Sequence, residues 1–135
     1  MNLNLSNKVI IVTGGAKGIG EGIVRVLANE GAIPVIVGRN EADNLKLVNE
    51  IIALGQKCEQ VVAELSQPSE CEKAVAEINQ KFGRIDGVVN NAGVNDGVGL
   101  ESGNYERFME SLHKNLVHYY LIVQHALPSL KASKG

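Results

Sequence analysis

Three glycines near the amino terminus have the spacing of a phosphate-binding turn. Gly14, Gly18 and Gly20 separate a β-branched run from a helical pattern that begins at Ile19. Gly14 permits a sharp turn, Gly18 a close approach of the backbone to a pyrophosphate, and Gly20 tight packing of the helix on a sheet. The first N–H groups of that helix can then bind phosphate oxygens. No Gly-Lys-Ser/Thr triplet follows, which argues against a triphosphate loop. The alternative is a tight turn that binds no ligand.

Four β-branched runs and the helical patterns between them must position this turn. The predicted strands are Lys8–Thr13, Ile33–Val37, Lys57–Ala63 and Ile85–Asn90. Their nearly continuous apolar character is typical of strands that are buried on both faces of a parallel sheet.

Apolar residues at spacings of three and four predict the helices. The four stripes are Ile19, Ile23, Val26 and Leu27; Leu45, Val48, Ile51 and Ile52; Cys71, Ala74, Val75, Ile78 and Phe82; and Leu112, Leu116, Tyr120, Val123 and Leu127. Asn40 and Ser66 are predicted amino-terminal caps. Gly31, Gly55 and Gly83 are predicted to end the first three helices.

This repeated order of strand, helix and glycine predicts βαβ units with right-handed crossovers. The expected fold class is α/β, a Rossmann-type doubly wound parallel sheet that is truncated after about four strands. Residues 1–135 are expected to form a single, incomplete nucleotide-binding domain. The loop Gly93–Gly103 follows the fourth strand and is expected to lie over the carboxyl ends of the strands, where such sheets bind ligands.

With the fourth strand included, the chain resembles the short-chain dehydrogenase/reductase family. The resemblance rests on Thr13-Gly14-x-x-x-Gly18-x-Gly20 together with Asn90-Asn91-Ala92-Gly93. It implies a nicotinamide-binding sheet in which Ile19 of the glycine turn contacts the cofactor and Asn90, Asn91, Ala92 and Gly93 line it. The small Ala92 and Gly93 leave room beside the ribose, and the Asn90 and Asn91 amides can hold the turn and donate to the ligand.

The same resemblance assigns a catalytic role to Asn115, which would hold a proton-relay water; a polar residue on a helix face is the alternative. The family's remaining catalytic groups are a serine and a Tyr-x-x-x-Lys unit. Tyr105, Tyr119 and Tyr120 are followed four residues later by Met, Val and Gln, so the chain contains no such unit. We therefore expect the chain to be a piece of an enzyme about twice as long, and to be inactive alone, because hydride transfer needs an acid–base group.

The residues after the second strand predict the cofactor. Gly38 stands where an acid would bind the 2′-hydroxyl of NAD, and Arg39 follows it. Lys17 in the glycine turn is expected on the same side, and two cations without an acid favour the 2′-phosphate of NADP. NAD remains the alternative. The resemblance also places Glu64 and Leu65 beside the adenine.

The expected function is NAD(P)-dependent hydride transfer at a CH–OH or carbonyl group. The polar pair Asn95 and Asp96 in the long loop favours a sugar or polyol substrate, and the run is similar to sugar-oxidising members of the family. A solvated loop without substrate contact is equally compatible. The alternatives are a 3-oxoacyl thioester reductase and a non-catalytic NADP-binding module.

Composition narrows the partners to a small molecule. The net charge of −2 and five aromatic residues argue against nucleic acid. No run reaches the roughly 20 apolar residues of a membrane span, and no secretory signal begins the chain, so a cytoplasmic location is expected.

The three histidines, His113, His118 and His125, lack metal-ligand spacing and are expected on a helix surface or interface. Cys58 and Cys71 are expected to be free thiols. The resemblance implies a homodimer or homotetramer, with Leu116, Tyr120 and Leu127 exposed on the isolated chain.

Overall fold

The computed structural model describes all 135 residues as an α/β fold. The strands are β1 (Val9–Thr13), β2 (Ile33–Gly38), β3 (Glu59–Val62) and β4 (Gly87–Val89). The helices are α1 (Gly18–Asn29), α2 (Glu41–Ala53), α3 (Pro68–Phe82), α4 (Tyr105–Leu112) and α5 (His118–Ser133), and a π-helical turn (His113–Val117) joins the last two. All four predicted strands are present, although β3 and β4 are shorter than predicted.

The four strands form one parallel sheet in the order β3-β2-β1-β4. β1 pairs with β2 from Val9 opposite Ile33 to Thr13 opposite Val37, and with β4 from Ile10 opposite Gly87 to Val12 opposite Val89. The chain order reverses between β1 and β4, so the carboxyl ends of these two strands form the switch point where such sheets bind ligands. The predicted Rossmann-type sheet is confirmed.

Alternate residues of the strands face two separate apolar cores. Ile11, Val35 and Val37 pack with α3 and α5, whereas Val12 and Ile36 pack with α1 and α2. All five residues of β1 are buried, as expected for a central strand that is covered on both faces. This double cover holds the end of β1, and with it the glycine turn, in a fixed position.

The helix ends follow local chemistry with one exception. Asn40 caps α2, and its side chain accepts a hydrogen bond from the Asp43 N–H at 3.1 Å. Gly31, Gly55 and Gly83 have φ values of 84°, 77° and 68°, the left-handed conformation predicted for them. The prediction for Ser66 is wrong: Gln67 is the cap of α3, and the Ser66 hydroxyl donates to Glu64 instead.

The buried face of α1 differs from the predicted stripe. Ile19 and Val26 are 79% and 61% exposed, whereas Gly20, Val24 and Ala28 face the sheet. Small residues on the inner face let the helix axis approach the strands closely. The stripe of α2 is shifted in the same way, since Leu45 and Ile52 are exposed and the buried residues are Asn44, Leu47, Val48 and Ile51.

The fourth predicted helix is divided by the π-helical turn. This turn admits one extra residue and rotates α5 relative to α4, so that His118, Ile122 and Ala126 are buried. Leu116, Tyr120 and Leu127 are exposed as expected, at 58%, 67% and 43%. The expectation of a surface histidine is wrong for His118, which is only 1% exposed.

Candidate functional site

The glycine turn leaves the amino terminus of α1 open to a ligand. Gly14 and Gly18 have φ values of 63° and 55°, and a Cβ at Gly18 would meet nothing within 4 Å. A Cβ at Gly20 would lie 2.2 Å from the Gly14 carbonyl oxygen, so glycine is required there. Lys17 is the N-cap residue of α1, and no side chain accepts a hydrogen bond from the first N–H groups of the helix. These N–H groups are therefore available to an anion.

Thr13 connects the glycine turn to the segment that follows β4. Its buried hydroxyl oxygen accepts hydrogen bonds from the N–H groups of Asn91 and Ala92, at 2.9 and 3.1 Å, and the hydroxyl lies 3.5 Å from the Val89 carbonyl. A Cβ at Gly14 would lie only 2.9 Å from Ala92 Cα. The two loops at the switch point are therefore packed backbone against backbone.

The amides of Asn90 and Asn91 hold this turn. Asn91 Nδ2 donates to the carbonyl oxygens of Thr13 and Gly14, both at 3.1 Å, and Asn90 Nδ2 donates to the Tyr119 carbonyl at 3.2 Å. Both Nδ2 hydrogens of Asn91 are thus used within the protein, and the expected donation from this amide to a ligand does not fit the geometry. Asn90 Oδ1 is buried and has no hydrogen-bond partner in the structure.

The cations expected at the ribose end of the site each have an acidic neighbour. Lys17 Nζ lies 2.8 Å from Asp43 Oδ2, and Arg39 Nη1 lies 3.9 Å from Glu64 Oε2. Glu64 Oε1 also accepts hydrogen bonds from the Ser66 N–H and hydroxyl. The expectation of two cations without an acid is therefore wrong. Glu64 comes from the segment after β3, and Asp43 comes from the first turn of α2, which the fold places beside the glycine turn.

Leu65 contributes to the core rather than to an open surface. Its side chain is 9% exposed and packs with the cluster between the sheet and α3. Its carbonyl accepts a hydrogen bond from the Cys71 thiol at 3.4 Å. Any contact with an adenine ring at this position is consequently left to the backbone and to Glu64.

The long loop after β4 is tied to the π-helical turn through Asn115. Asn115 Oδ1 accepts a hydrogen bond from the Val94 N–H at 2.7 Å, and Nδ2 donates to the Ser111 carbonyl at 3.0 Å. The Ser111 hydroxyl donates to Asp96 Oδ1 at 3.0 Å. A Cβ at Gly93 would lie 3.0 Å from Asn115 Oδ1, so glycine gives this amide its room.

The two residues expected to bind substrate differ in their surroundings. Asp96 is bonded to Ser111, whereas Asn95 is exposed and makes only a local bond, accepting from the Gly97 N–H at 3.3 Å. The loop therefore presents the exposed Asn95 carboxamide, whose oxygen makes one local bond, next to a carboxylate that is bonded to α4.

A buried histidine adjoins the π-helical turn. His118 Nε2 lies 2.8 Å from the Lys114 carbonyl oxygen; because a carbonyl can only accept, Nε2 carries the proton. His118 Nδ1 has no hydrogen-bond partner. This bond satisfies a carbonyl in the segment that contains Asn115, where the regular helical ladder is interrupted.

Sequence reasoning assigned no role in the site to four residues that shape it: Thr13, Asp43, Asn44 and Ser111. Only Thr13 had a usable signal, as a hydroxyl at the carboxyl end of a buried strand. Asn44 is 1% exposed and donates to the Gly38 carbonyl at 3.1 Å and to Gln60 Oε1 at 3.2 Å. Its burial was unpredictable, since it lies in a helix whose inner face was expected to be entirely apolar.

The two cysteines lie in the apolar cores on either face of the sheet. Cys58 and Cys71 are free, as predicted, and both are buried. Burial raises the pKa of the Cys58 thiol to about 12 and raises the pKa of Cys71 as well. No group of three or more His, Cys, Asp or Glu side chains is arranged to share a metal ion. The structure contains no helix with the length and apolar character that crossing a bilayer requires.

The strand order and the open helix terminus at the switch point define a dinucleotide-binding domain of the Rossmann type. The family model described as short chain dehydrogenase matches residues 8–135. The chain belongs to the short-chain dehydrogenase family.

Known relatives share the sequence over nearly the whole chain. It is 34% identical to L-fucose dehydrogenase of Rattus norvegicus over 131 residues, which cover 96% of this chain and 47% of the relative. The chain therefore spans about half the length of the curated relatives that it matches.

Solved structures agree with the fold. The crystal structure of Cj0485 dehydrogenase superposes with a TM-score of 0.89 at 37% identity, covering 100% of this chain and 51% of that one. A metagenomic short-chain oxidoreductase solved in complex with NADP superposes with a TM-score of 0.90 at 31% identity, covering 96% of this chain and 59% of that one.

Proposed function

We propose that this chain is the nicotinamide-cofactor-binding portion of an oxidoreductase that transfers hydride to or from a CH–OH or carbonyl substrate. The preferred cofactor is NADP and the preferred substrate class is a sugar or polyol. A bound nicotinamide cofactor supplies the hydride chemistry, and the residues of this chain bind and orient it.

The observation that carries the proposal is the open amino terminus of α1 beneath the glycine turn. Gly18 faces free space and Gly20 packs against Gly14, as a pyrophosphate cradle requires. The unpaired N–H groups and the helix dipole together favour a doubly charged group at this position. The bonds from Thr13 to Asn91 and Ala92 fix the β4 side of the same cleft.

The cofactor preference rests on Lys17 and Arg39. Both side chains are exposed, at 76% and 72%, and can turn toward a 2′-phosphate. The NADP-bound relative with 31% identity supports the same choice. NAD is the alternative, because Asp43 and Glu64 reduce the positive charge around these cations.

The substrate class rests on the loop after β4 and on the L-fucose dehydrogenase relative. Asn95 has a carboxamide available for hydroxyl groups, and Asp96 lies beside it. We propose that Asn115 serves catalysis by ordering this loop against the π-helical turn and by holding a proton-relay water. A 3-oxoacyl thioester reductase and a non-catalytic NADP-binding module are the competing functions.

We further propose that the protein is a homodimer or homotetramer. The support is the exposed row Leu116, Tyr120 and Leu127 along the π-helical turn and α5. Apolar side chains of this size on one helix face are typical of subunit interfaces.

Calorimetric titration of the 135-residue chain with NADP and NAD tests the proposed cofactor site. Gly18→Asp places a carboxylate where the pyrophosphate would lie, and we expect it to weaken NADP binding at least tenfold. Gly83→Asp is the matched control, because Gly83 has a similar φ of 68°, has nothing within 4 Å of its Cβ, and lies at the distant end of α3. Absence of NADP and NAD binding in the unmodified chain, or equal losses in both variants, would contradict the proposal.

Turnover assays separate the competing functions. We expect the 135-residue chain to bind NADP. We expect it to oxidise neither L-fucose nor a polyol, because it contains no Tyr-x-x-x-Lys unit. In the protein as expressed from its own gene, we expect oxidation of L-fucose and no reduction of a 3-oxoacyl thioester. The reverse pattern would support the reductase, and cofactor binding without either reaction would support the binding module.

A further inference from the structure

The Asp43 carboxylate forms an ion pair with Lys17, one of the two cations proposed to bind the 2′-phosphate of the cofactor. Asp43 Oδ2 lies 2.8 Å from Lys17 Nζ, the shortest distance in either of the two ion pairs that flank the ribose end of the site. Arg39 and Glu64 are 3.9 Å apart, and Glu64 is more exposed than Asp43, so their pairing is weaker. Lys17 is therefore the better neutralised of the two cations.

The position of Asp43 is set by its neighbours and not by the ion pair alone. Its backbone N–H donates to the Asn40 cap, which fixes the first turn of α2. The next residue, Asn44, is 1% exposed and bonds the Gly38 carbonyl and Gln60 Oε1. These anchors tie the start of α2 to the ends of β2 and β3, and they hold the Asp43 carboxylate on the side that faces the glycine turn.

The cleft between α1 and α2 is electrically balanced with Asp43 in place. This cavity of about 340 Å³ is lined by three bases and three acids. They are Lys17, Arg25, Lys46, Glu21, Asp43 and Glu50. Arg25 is already paired with both Glu21 and Glu50. Removing the charge of Asp43 alone would leave three bases and two acids along the cleft, a net charge of +1.

We propose that Asp43 is a specificity-determining residue that limits the preference for NADP over NAD. This inference rests on the proposed cofactor site. A 2′-phosphate carries about two negative charges near neutral pH; to pair with Lys17 it must displace the Asp43 carboxylate and remain beside it. The 2′-hydroxyl of NAD meets no such repulsion. Gly38 at the end of β2 has no carboxylate. In this chain the acid that favours NAD is instead Asp43, in the first turn of α2.

An acid at the end of β2 would conflict with the same anchor. A Cβ at Gly38 would lie 3.0 Å from Asn44 Oδ1, and Asn44 is held by two hydrogen bonds. Asn44 therefore leaves little room for a side chain at position 38, and the nearby acid is Asp43 in α2.

The test is calorimetric titration of Asp43→Asn with NADP and with NAD. We expect the Kd for NADP to fall about two- to fivefold, the range for loss of one exposed ionic interaction, and the Kd for NAD to change less than twofold. Glu41→Gln is the control, since it removes one negative charge from the same helical turn and Glu41 forms no ion pair with Lys17. We expect the control to leave the ratio of the two Kd values unchanged.

A second pair of variants assigns the effect to Lys17. In a Lys17→Gln background, Asp43→Asn should no longer improve NADP binding. Asp43→Ser provides an independent removal of the carboxylate if the Asn variant unfolds.

An unchanged or increased Kd for NADP in Asp43→Asn, equal changes for both cofactors, or the same gain in the Lys17→Gln background would overturn the inference. The proposed cofactor site itself fails if the unmodified chain binds neither cofactor, or if Gly18→Asp and Gly83→Asp lose the same affinity, so the two failures are distinguishable.

Discussion

Asn115 Oδ1 accepts a hydrogen bond from the Val94 N–H at 2.7 Å across 21 residues of sequence. The bond joins the loop after β4 to the π-helical turn, the one interruption in the long carboxyl-terminal helix. Because a π turn admits an extra residue, it exposes backbone groups that a regular helix would pair, and such turns are frequent at functional sites. Asn115 therefore links the cleft of the proposed cofactor to the helix that supports its loop.

Asn115→Ala is expected to release the loop. The Val94 N–H and the Ser111 carbonyl both lose a partner, and the free energy of unfolding should fall by about 1 kcal/mol. Amide exchange at Val94 should accelerate more than exchange in β1. The control is Asn95→Ala, which removes only a local bond to Gly97. Equal exchange at Val94 in both variants would show that Asn115 does not hold the loop.

Thr13→Val is expected to destabilise the switch point. Valine has nearly the same shape as threonine, but it leaves the Asn91 and Ala92 N–H groups without their acceptor. The buried, unsatisfied donors should lower the unfolding free energy in urea by about 2 kcal/mol. Thr13→Ser keeps the hydroxyl and loses one methyl group, which costs about 1 kcal/mol. If the Val variant proves as stable as the Ser variant, the hydroxyl does not link the two loops.

Two glycines in α1 should respond in opposite directions to alanine. A Cβ at Gly20 would lie 2.2 Å from Gly14 O and 2.5 Å from Asn91 Nδ2, so Gly20→Ala should destabilise the fold by about 1–3 kcal/mol through overpacking. Gly22 has nothing within 4 Å, and Gly22→Ala should stabilise the helix by about 0.5–1 kcal/mol. Thermal unfolding of the two variants measures both effects. Similar shifts in the same direction would mean that α1 does not pack closely on the glycine turn.

Asp86 is expected to make stability depend on pH in the acid range. The Arg84 guanidinium, and to a smaller extent the Val9 N–H, hold the pKa of Asp86 below its ordinary value of 3.8. A depressed carboxyl pKa means that unfolding takes up protons, so this stabilisation is fully present above about pH 4 and is lost as the pH falls through the lowered pKa. Asp86→Asn should cost about 1 kcal/mol at pH 7, and this cost should shrink as the pH falls through the lowered pKa. Urea unfolding across this range checks it, and a constant difference between the two proteins would contradict the assignment.

The sequence predicted the elements well because their signals are local. β-branched runs gave all four strands, and Asn40 and the glycines after three helices were placed correctly. The glycine turn and Asn90–Gly93 were brought together at the switch point, since parallel strands end at the same edge of the sheet. Ser66 failed as a cap because α3 begins one residue later, after Gln67, and its hydroxyl donates to Glu64 instead of accepting from a helix N–H.

Helix faces and charge pairs were decided by the tertiary structure. Apolar spacing shows that α1 is amphipathic, but two adjacent stripes satisfy it, and close packing on the sheet selected Gly20, Val24 and Ala28 over Ile19 and Val26. The pairing of Lys17 with Asp43 joins the glycine turn to the first turn of α2, which only the parallel sheet brings together.

The sequence by itself determined a parallel α/β sheet with a phosphate-binding turn, because backbone conformation and burial are encoded within each segment. Only the tertiary structure decided the π-helical turn at Asn115, the burial of His118 and Asn44, and the acid beside Lys17. These depend on contacts between segments 15 to 30 residues or more apart and on the π-helical turn within the long helix, and no local pattern predicts them.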